Sequence, residues 1–161
     1  MNIKNKTLRL TIIAMLVALF AVLSQIVLPL PFSPVPITLQ TAAISIAIII
    51  GGATNASYTV LIYLLLGAVG APVFAGGGGG LGVILGPTGG FLLGFLPAAF
   101  IGGLIWQKFG KNRIAIAYLC TTLADIIILI IGFIWFAIIT GNTLSQAFIL
   151  TCLPFLPGDA L

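Results

Sequence analysis

The chain has 161 residues, of which 61% are hydrophobic and only 5% are charged. A soluble domain carries roughly 25% charged residues because its surface must be hydrated, so this composition predicts an all-α integral membrane protein. The sequence has no His, and its only carboxylates are Asp125 and Asp159. Enzymes and metal centres are therefore disfavoured, since both need clustered ionisable groups or ligands. We expect no cofactor in this chain, and Cys120 and Cys152 to behave as small hydrophobic residues.

The first apolar stretch, residues 8–28, is long enough to cross a bilayer core of about 30 Å. It follows basic residues, as a signal peptide would, but it is too long for a typical signal sequence and no small-residue cleavage site follows it. We interpret it as a retained membrane helix. It ends at the segment LPLPFSPVP, whose four prolines between Pro29 and Pro36 no helix interior would tolerate.

Four further apolar stretches and a short helical pattern follow. The tight polar segment GGATN separates the second stretch from the third, and the basic turn QKFGKNR separates the fourth from the fifth. A sixth helix would start after the segment PFLPGD, at about residue 156. We predict a single membrane domain over residues 1–161, with spans at about 37–50, 56–70, 90–107 and 114–139 and a short apolar helix at 143–153.

All basic residues lie in two places, the N-terminus and the QKFGKNR turn. Because the chain is predicted to cross the membrane five times, these two places lie on the same side of it. Lys and Arg concentrate in cytoplasmic loops, so we expect a multi-pass protein of the cytoplasmic membrane with its N-terminus inside. The proline loop, the glycine-rich stretch and PFLPGD then face outward.

The stretch PVFAGGGGGLGVILGPTGG raises the question of what glycine does in an apolar chain. A phosphate-binding loop would need a basic residue after GPTGG, and a dinucleotide fingerprint would need a soluble sheet. A flexible outer loop is a second interpretation, although the apolar residues 81–85 do not suit a solvated linker. We favour a loop folded back among the helices, where irregular backbone is tolerated if it lines a cavity.

Small residues recur every fourth position from Gly86 to Gly102, a pattern typical of a helix-packing face. Asp159, after a Pro-Gly break, is the better candidate ligand of the two carboxylates. For Asp125, a neutral carboxyl or a hydrogen bond to a neighbouring helix is the favoured alternative to a ligand role. Thr38 and Gln40 are neutral hydrogen-bonding groups after the proline loop, and Tyr63 and Phe74 could supply aromatic walls.

Three segments together resemble the BioY family: PVPITLQ, the stretch from Tyr63 to Phe95 containing GPTGG, and PFLPGD. That family is the substrate-capturing (S) component of biotin transporters of the energy-coupling-factor (ECF) type. The resemblance implies a compact bundle of six membrane helices with an outward-facing biotin pocket, roofed by the first loop and the glycine loop. It also implies association with a coupling membrane protein and two cytoplasmic ATPases, so that ATP is used by the partners.

The resemblance assigns biotin contacts to Phe74, Ala75, Gly76, Thr88, Gly89, Gly90 and Asp159. Ala14 and Ala18 look like the family's first-helix alanine motif, which meets the coupling protein. A carboxylate such as Asp159 can accept from the ureido N–H groups of biotin, and glycine-loop amides can donate to its oxygens.

Relatives continue past the Gly-Asp pair with a sixth helix, commonly with a lysine three residues after the Asp. The sequence ends two residues after Asp159, so we expect the sixth helix to be truncated here. Two alternative functions remain open: an S component for another vitamin, and a membrane protein or assembly factor unrelated to transport.

Overall fold

A computed structural model describes residues 5–31, 33, 35–110 and 114–151 of the chain. The described part is mostly helical, with one pair of two-residue strands, which confirms the all-α prediction. A short 3₁₀ turn spans Ala75–Gly77. The helices and strands, in chain order, are α1 (Lys6–Leu23), β1 (Val27–Leu28), β2 (Ile37–Thr38), α2 (Gln40–Ala68), α3 (Leu81–Ile84), α4 (Gly89–Phe109), α5 (Ile114–Thr140) and α6 (Leu144–Thr151).

The first helix is shorter than the apolar stretch that predicts it. Asn5 caps its start by accepting a hydrogen bond from the backbone N–H of Thr7 at 3.1 Å. The helix ends at Leu23, and the last residues of the apolar stretch form β1 instead. This strand pairs antiparallel with β2, Val27 opposite Thr38 and Leu28 opposite Ile37. The pair closes the base of the proline loop.

Helix α2 is a hairpin of two limbs rather than a straight rod. The side-chain amide of Gln40 donates to the hydroxyl of Tyr63 at 2.8 Å, whereas a straight helix would place residues 23 positions apart at about 35 Å. The reversal occurs at Gly52, whose φ of 63° and ψ of −170° are non-helical. Only glycine adopts this backbone conformation at low cost. The limbs correspond to the second and third predicted spans, and the turn lies in GGATN.

The predicted small-residue stripe packs α4 against its neighbours. A β-carbon on Gly90 would overlap the side chain of Trp135, and one on Gly94 would lie 3.2 Å from the Cα of Ile128. Ala98 is fully buried. A β-carbon on Gly102 would lie 2.9 Å from a methyl of Ile48 and 3.2 Å from the Cys120 carbonyl oxygen. The stripe therefore confirms the expected packing role, except that Gly86 precedes α4 and is not on its face.

Four helices of the described ranges, α1, α2, α4 and α5, are long and apolar enough to cross a membrane, with α2 counted as one helix. The bounds of α4, α5 and α6 lie close to the predicted stretches. The expected start of a sixth spanning helix, at about residue 156, lies outside the described residues, as do Cys152 and Asp159.

The hairpin turn of α2 defines one end of the bundle. Arg9 near the start of α1 donates to the side chain of Asn55 at 2.7 Å, and Trp106 near the end of α4 donates to the carbonyl of Ile49 at 2.8 Å. The start of α1, the α2 turn and the end of α4 therefore meet at this end. The two open ends of the α2 hairpin lie at the other, with the proline and glycine loops.

Candidate functional site

A cavity of about 190 Å³ lies at the loop end of the bundle. Its wall combines the proline loop, the start of α2, the glycine loop and the first turn of α4. The wall is mostly apolar, and its described residues include no ionisable side chain: Val35, Pro36, Thr38, Gln40, Phe74, Ala75, Gly78, Val83, Thr88, Phe91 and Leu92. Such a wall suits a ligand with an apolar body and a few neutral polar groups.

A relay of hydrogen bonds forms the polar side of the cavity. The hydroxyl of Thr38 donates to the side-chain carbonyl of Gln40 at 3.0 Å, and the Gln40 amide donates to the Tyr63 hydroxyl at 2.8 Å. That hydroxyl in turn donates to the Val73 carbonyl at 2.9 Å. The amide plane of Gln40, which is 6% exposed, is thereby held in one orientation. Because the side-chain amide of Gln40 has two N–H groups, the relay also fixes the direction of the second one.

The glycine loop is fastened to the end of α1. The Val73 carbonyl also lies 2.5 Å from the Ser24 hydroxyl, so two hydroxyls converge on one acceptor. The backbone N–H of Gly76 donates to the Ser24 carbonyl at 3.3 Å, and the Gln25 amide reaches the Pro72 carbonyl at 3.3 Å. The loop is therefore folded onto the helices, as predicted, and is not a flexible linker.

Phe74 locks the loop into the bundle. Its side chain is 1% exposed, and a β-carbon on Gly67 would overlap its ring. Gly67 therefore supplies the seat in which the ring sits. The ring meets the Tyr63 ring edge-on, with 5.5 Å between the ring centroids. The centroids of the Tyr63 and Phe20 rings lie 4.3 Å apart. This aromatic cluster ties three elements together beneath the cavity.

The GPTGG segment forms the junction between the loop and α4. Thr88 precedes the first residue of α4 and lines the cavity. A β-carbon on Gly89 would overlap the carbonyl of Ile84, and Gly90 faces Trp135, whose indole N–H donates to the Gly86 carbonyl at 2.9 Å. These glycines bring the start of α4 close to the loop and to α5, which places Thr88 at the cavity.

The predicted site residues divide into three groups. Thr38, Gln40, Phe74, Ala75 and Thr88 line the cavity. Four others do not line the cavity: Tyr63, which is fully buried behind Gln40, and the glycines Gly76, Gly89 and Gly90. Asp159 lies outside the described residues.

Sequence reasoning missed most of the apolar wall and the fastening of the loop. Val35, Pro36, Gly78, Val83, Phe91 and Leu92 line the cavity without having been singled out. Ser24 and Gln25 lie within the first predicted span, residues 8–28. Their polarity at the end of an apolar stretch is the one signal that could have marked them.

Comparisons with known proteins agree with one another. The model of the BioY family matches residues 1–161. A probable biotin transporter BioY of Pyrococcus horikoshii is 39% identical over 96% of this chain and 88% of its own length. A biotin transporter BioY of Rhodobacter capsulatus is 40% identical over 92% of this chain and 84% of its own length.

A solved structure has the same fold. The crystal structure of the S-component for biotin from an ECF-type ABC transporter superposes with a TM-score of 0.90 at 30% identity, covering 99% of this chain and 86% of that one. The family match over the whole sequence, the similar relatives and the shared fold establish that this chain belongs to the BioY family.

Proposed function

We propose that this chain binds biotin in the cavity at the loop end and mediates its uptake as the S component of an ECF-type transporter. The observation that carries the proposal is a mostly apolar cavity with an oriented amide, in a BioY-family chain whose structural neighbour is the S-component for biotin. Family membership also supports a transporter rather than an enzyme.

The wall chemistry suits the parts of biotin. The apolar bicycle would pack on Phe74, Val83 and Phe91. The ureido group has two N–H donors and a carbonyl acceptor, and the side chains of Thr38 and Gln40 offer both donors and acceptors. Backbone amides of the loop and of the start of α4 can donate to oxygens of the ligand. The carboxylate of Asp159 remains our proposed acceptor for the ureido N–H groups.

Binding of vitamins to the purified chain tests this proposal. We expect calorimetry to show saturable binding of biotin and none of riboflavin or thiamine. Tight binding of another vitamin would instead indicate an S component of different specificity, and binding of none would favour a protein unrelated to uptake. Asp159→Asn tests the carboxylate separately, since unchanged biotin affinity in this variant would remove Asp159 from the site.

The partner proposal concerns the exposed face of α1. Ala14 and Ala18 are both exposed, and Ala18 lines an open apolar groove of about 520 Å³ with Met15, Leu19 and Val22. Small residues on an exposed helix face allow close approach of another helix. We propose that this face meets the coupling membrane protein, which works with two cytoplasmic ATPases. Ala14→Leu together with Ala18→Leu should abolish co-purification with the coupling protein while leaving biotin binding intact.

In the proposed topology, the chain spans the cytoplasmic membrane and its N-terminus lies on the cytoplasmic side. The described basic residues Lys6, Arg9 and Lys108 lie at the α2-turn end, which the positive-inside tendency assigns to the cytoplasm. The cavity then faces outward, where biotin arrives. Cysteines introduced at Lys6 and at Asn142 should be labelled from the inside and from the outside, respectively, in cells. The reverse labelling pattern would overturn this orientation.

A further inference from the structure

A second cavity, of about 320 Å³, lies at the α2-turn end of the bundle, far from the biotin cavity. It is formed by α1 and by the second limb of α2, and none of its lining residues lines the biotin cavity. Two of them are cationic and four are apolar or aromatic: Lys6, Arg9, Leu10, Ile13, Tyr58 and Ile62.

The guanidinium of Arg9 is held in place on two sides. Its Nε donates to the side-chain oxygen of Asn55 at 2.7 Å, and Asn55 is only 7% exposed. The guanidinium carbon also lies 5.2 Å from the centroid of the Tyr58 ring, within the range of a cation–π contact. The terminal nitrogens of Arg9 retain four N–H donors, the group that recognises carboxylate or phosphate in a fixed geometry.

The electrostatics of this end favour an anion. Lys6 and Arg9 lie in the first turn of α1, which has no acidic residue. Cations are disfavoured at a helix N-terminus because the backbone dipole is positive there. The sequence contains no Asp or Glu before Asp125, so the elements that form this cavity cannot supply a carboxylate. An external anion would be attracted by both side chains and by the helix end.

The opposite half of the cavity is apolar and open. Leu10 is 67% exposed and Ile62 is 39% exposed. Ile13 lies seven residues beyond Lys6 on α1, about 10 Å further into the proposed membrane span. Polarity thus changes along the groove, from cations at the membrane surface to branched aliphatic side chains deeper in. A free inorganic anion would use only the first half.

We propose that this groove binds one anionic phospholipid. Lys6 and Arg9 bind its phosphate headgroup, and an acyl chain lies along Leu10, Ile13 and Ile62. Tyr58 lies between the two halves and keeps the guanidinium oriented. The site would stabilise the contact between α1 and the α2 turn in a membrane containing such lipids, whether or not biotin is bound.

Lipid titration of the purified full chain in detergent tests the proposal. Phosphatidylglycerol and phosphatidylcholine with identical acyl chains would be added, and bound lipids counted by native mass spectrometry alongside the thermal unfolding temperature. Both lipids carry the phosphodiester anion, but only phosphatidylcholine adds a choline cation, which Lys6 and Arg9 repel. We therefore expect phosphatidylglycerol to bind roughly tenfold more tightly and to raise the unfolding temperature more. Equal binding of the two lipids would overturn the proposal. Stabilisation by inorganic phosphate alone that matches the lipid would also overturn it.

Three charge-removing variants locate the site. Lys6→Gln and Arg9→Gln should each abolish the preference for phosphatidylglycerol, whereas Lys108→Gln should keep it. Lys108 is the matched control because it lies at the same end of the bundle but outside the cavity, over the Phe109 ring. Unchanged biotin binding would show that each variant is folded. Lys6 is exposed, so its variant decides the matter if Arg9→Gln proves unstable.

Two results with these variants would contradict the proposal. If all three variants lose the preference equally, the effect is one of net charge and not of this groove. If Lys6→Gln and Arg9→Gln keep the preference but lose association with the coupling protein, the groove is a protein contact instead.

Discussion

Glycine is concentrated in two regions of this molecule, and it serves a different physical purpose in each. In the glycine loop, Gly76, Gly77 and Gly80 have φ values of 63°, 81° and 91°, so the backbone conformation itself requires glycine. On α4, Gly90 and Gly94 belong to an ordinary helix and are needed because neighbouring atoms occupy the space of a β-carbon. The density of glycine in a sequence therefore does not reveal which of these properties is used.

The largest loss of stability should come from substituting a packing glycine of α4. In Gly90→Val, the new side chain must displace Trp135, which also bonds the Gly86 carbonyl. Overpacking of a buried contact typically costs about 1–3 kcal/mol of stability and occasionally more. For Gly90→Val we expect a cost at the upper end of this range, or total loss of folded protein. Thermal unfolding in detergent measures it. Gly82→Ala is the control, because nothing lies within 4 Å of its added β-carbon.

Gly67→Ala should produce the next largest effect and should affect both stability and binding. The added methyl overlaps the ring of Phe74, so the ring must leave its seat and the cavity wall must move with it. We expect a loss of about 1–3 kcal/mol in stability and at least a roughly tenfold loss of biotin affinity. A variant with lowered stability but unchanged affinity would show that Phe74 does not shape the binding cavity.

The spans and the packing face were predictable because each depends on the chemistry of a long stretch. Apolar length predicts a membrane helix, and small residues at every fourth position predict a close helix contact. The end of α1 was not predictable in the same way. Ile26, Val27 and Leu28 are as apolar as the helix before them, and only their pairing with residues beyond the proline loop makes two of them a strand.

The candidate site was predictable only where its residues differ from their surroundings. Thr38 and Gln40 are polar residues in an apolar chain, and Thr88 belongs to a specific motif, so each carried a signal. Val35, Val83 and Leu92 line the same cavity, but an aliphatic residue in a membrane protein resembles many others. Their role depends on the folding of three separate segments onto one space.

Gln40→Leu should weaken biotin binding with a smaller effect on stability. The substitution removes the oriented amide from the wall and its bonds to Thr38 and Tyr63, while Tyr63 keeps its bond to Val73. Loss of a buried hydrogen-bonding group costs about 1–3 kcal/mol, so we expect a roughly tenfold or larger fall in affinity by calorimetry. Gln146→Leu is the matched control, because the exposed side chain of Gln146 on α6 accepts, among the described residues, only a local bond from the Thr143 N–H, and this variant should bind biotin as the parent does.

The smallest change in stability should come from Gly80→Ala, and its comparison with Gly82→Ala separates backbone conformation from packing. Gly80 and Gly82 both have open space where a β-carbon would be placed, but only Gly80 has a positive φ, of 91°. Its ψ of 162° puts it in a region that residues other than glycine seldom adopt. Gly80→Ala should therefore destabilise the protein by about 1 kcal/mol, whereas Gly82→Ala, within α3, should be neutral or slightly stabilising.

This pair also tests how the loop is held. The N–H of Gly80 donates to the carbonyl of Gly67 at 2.6 Å, next to the seat of Phe74. If Gly80→Ala shifts this bond, biotin affinity should fall together with the unfolding temperature, and Gly82→Ala should change neither. If neither substitution lowered the unfolding temperature, the loop would tolerate a side chain at either position. The contrast between conformational and packing glycines would then fail for this region.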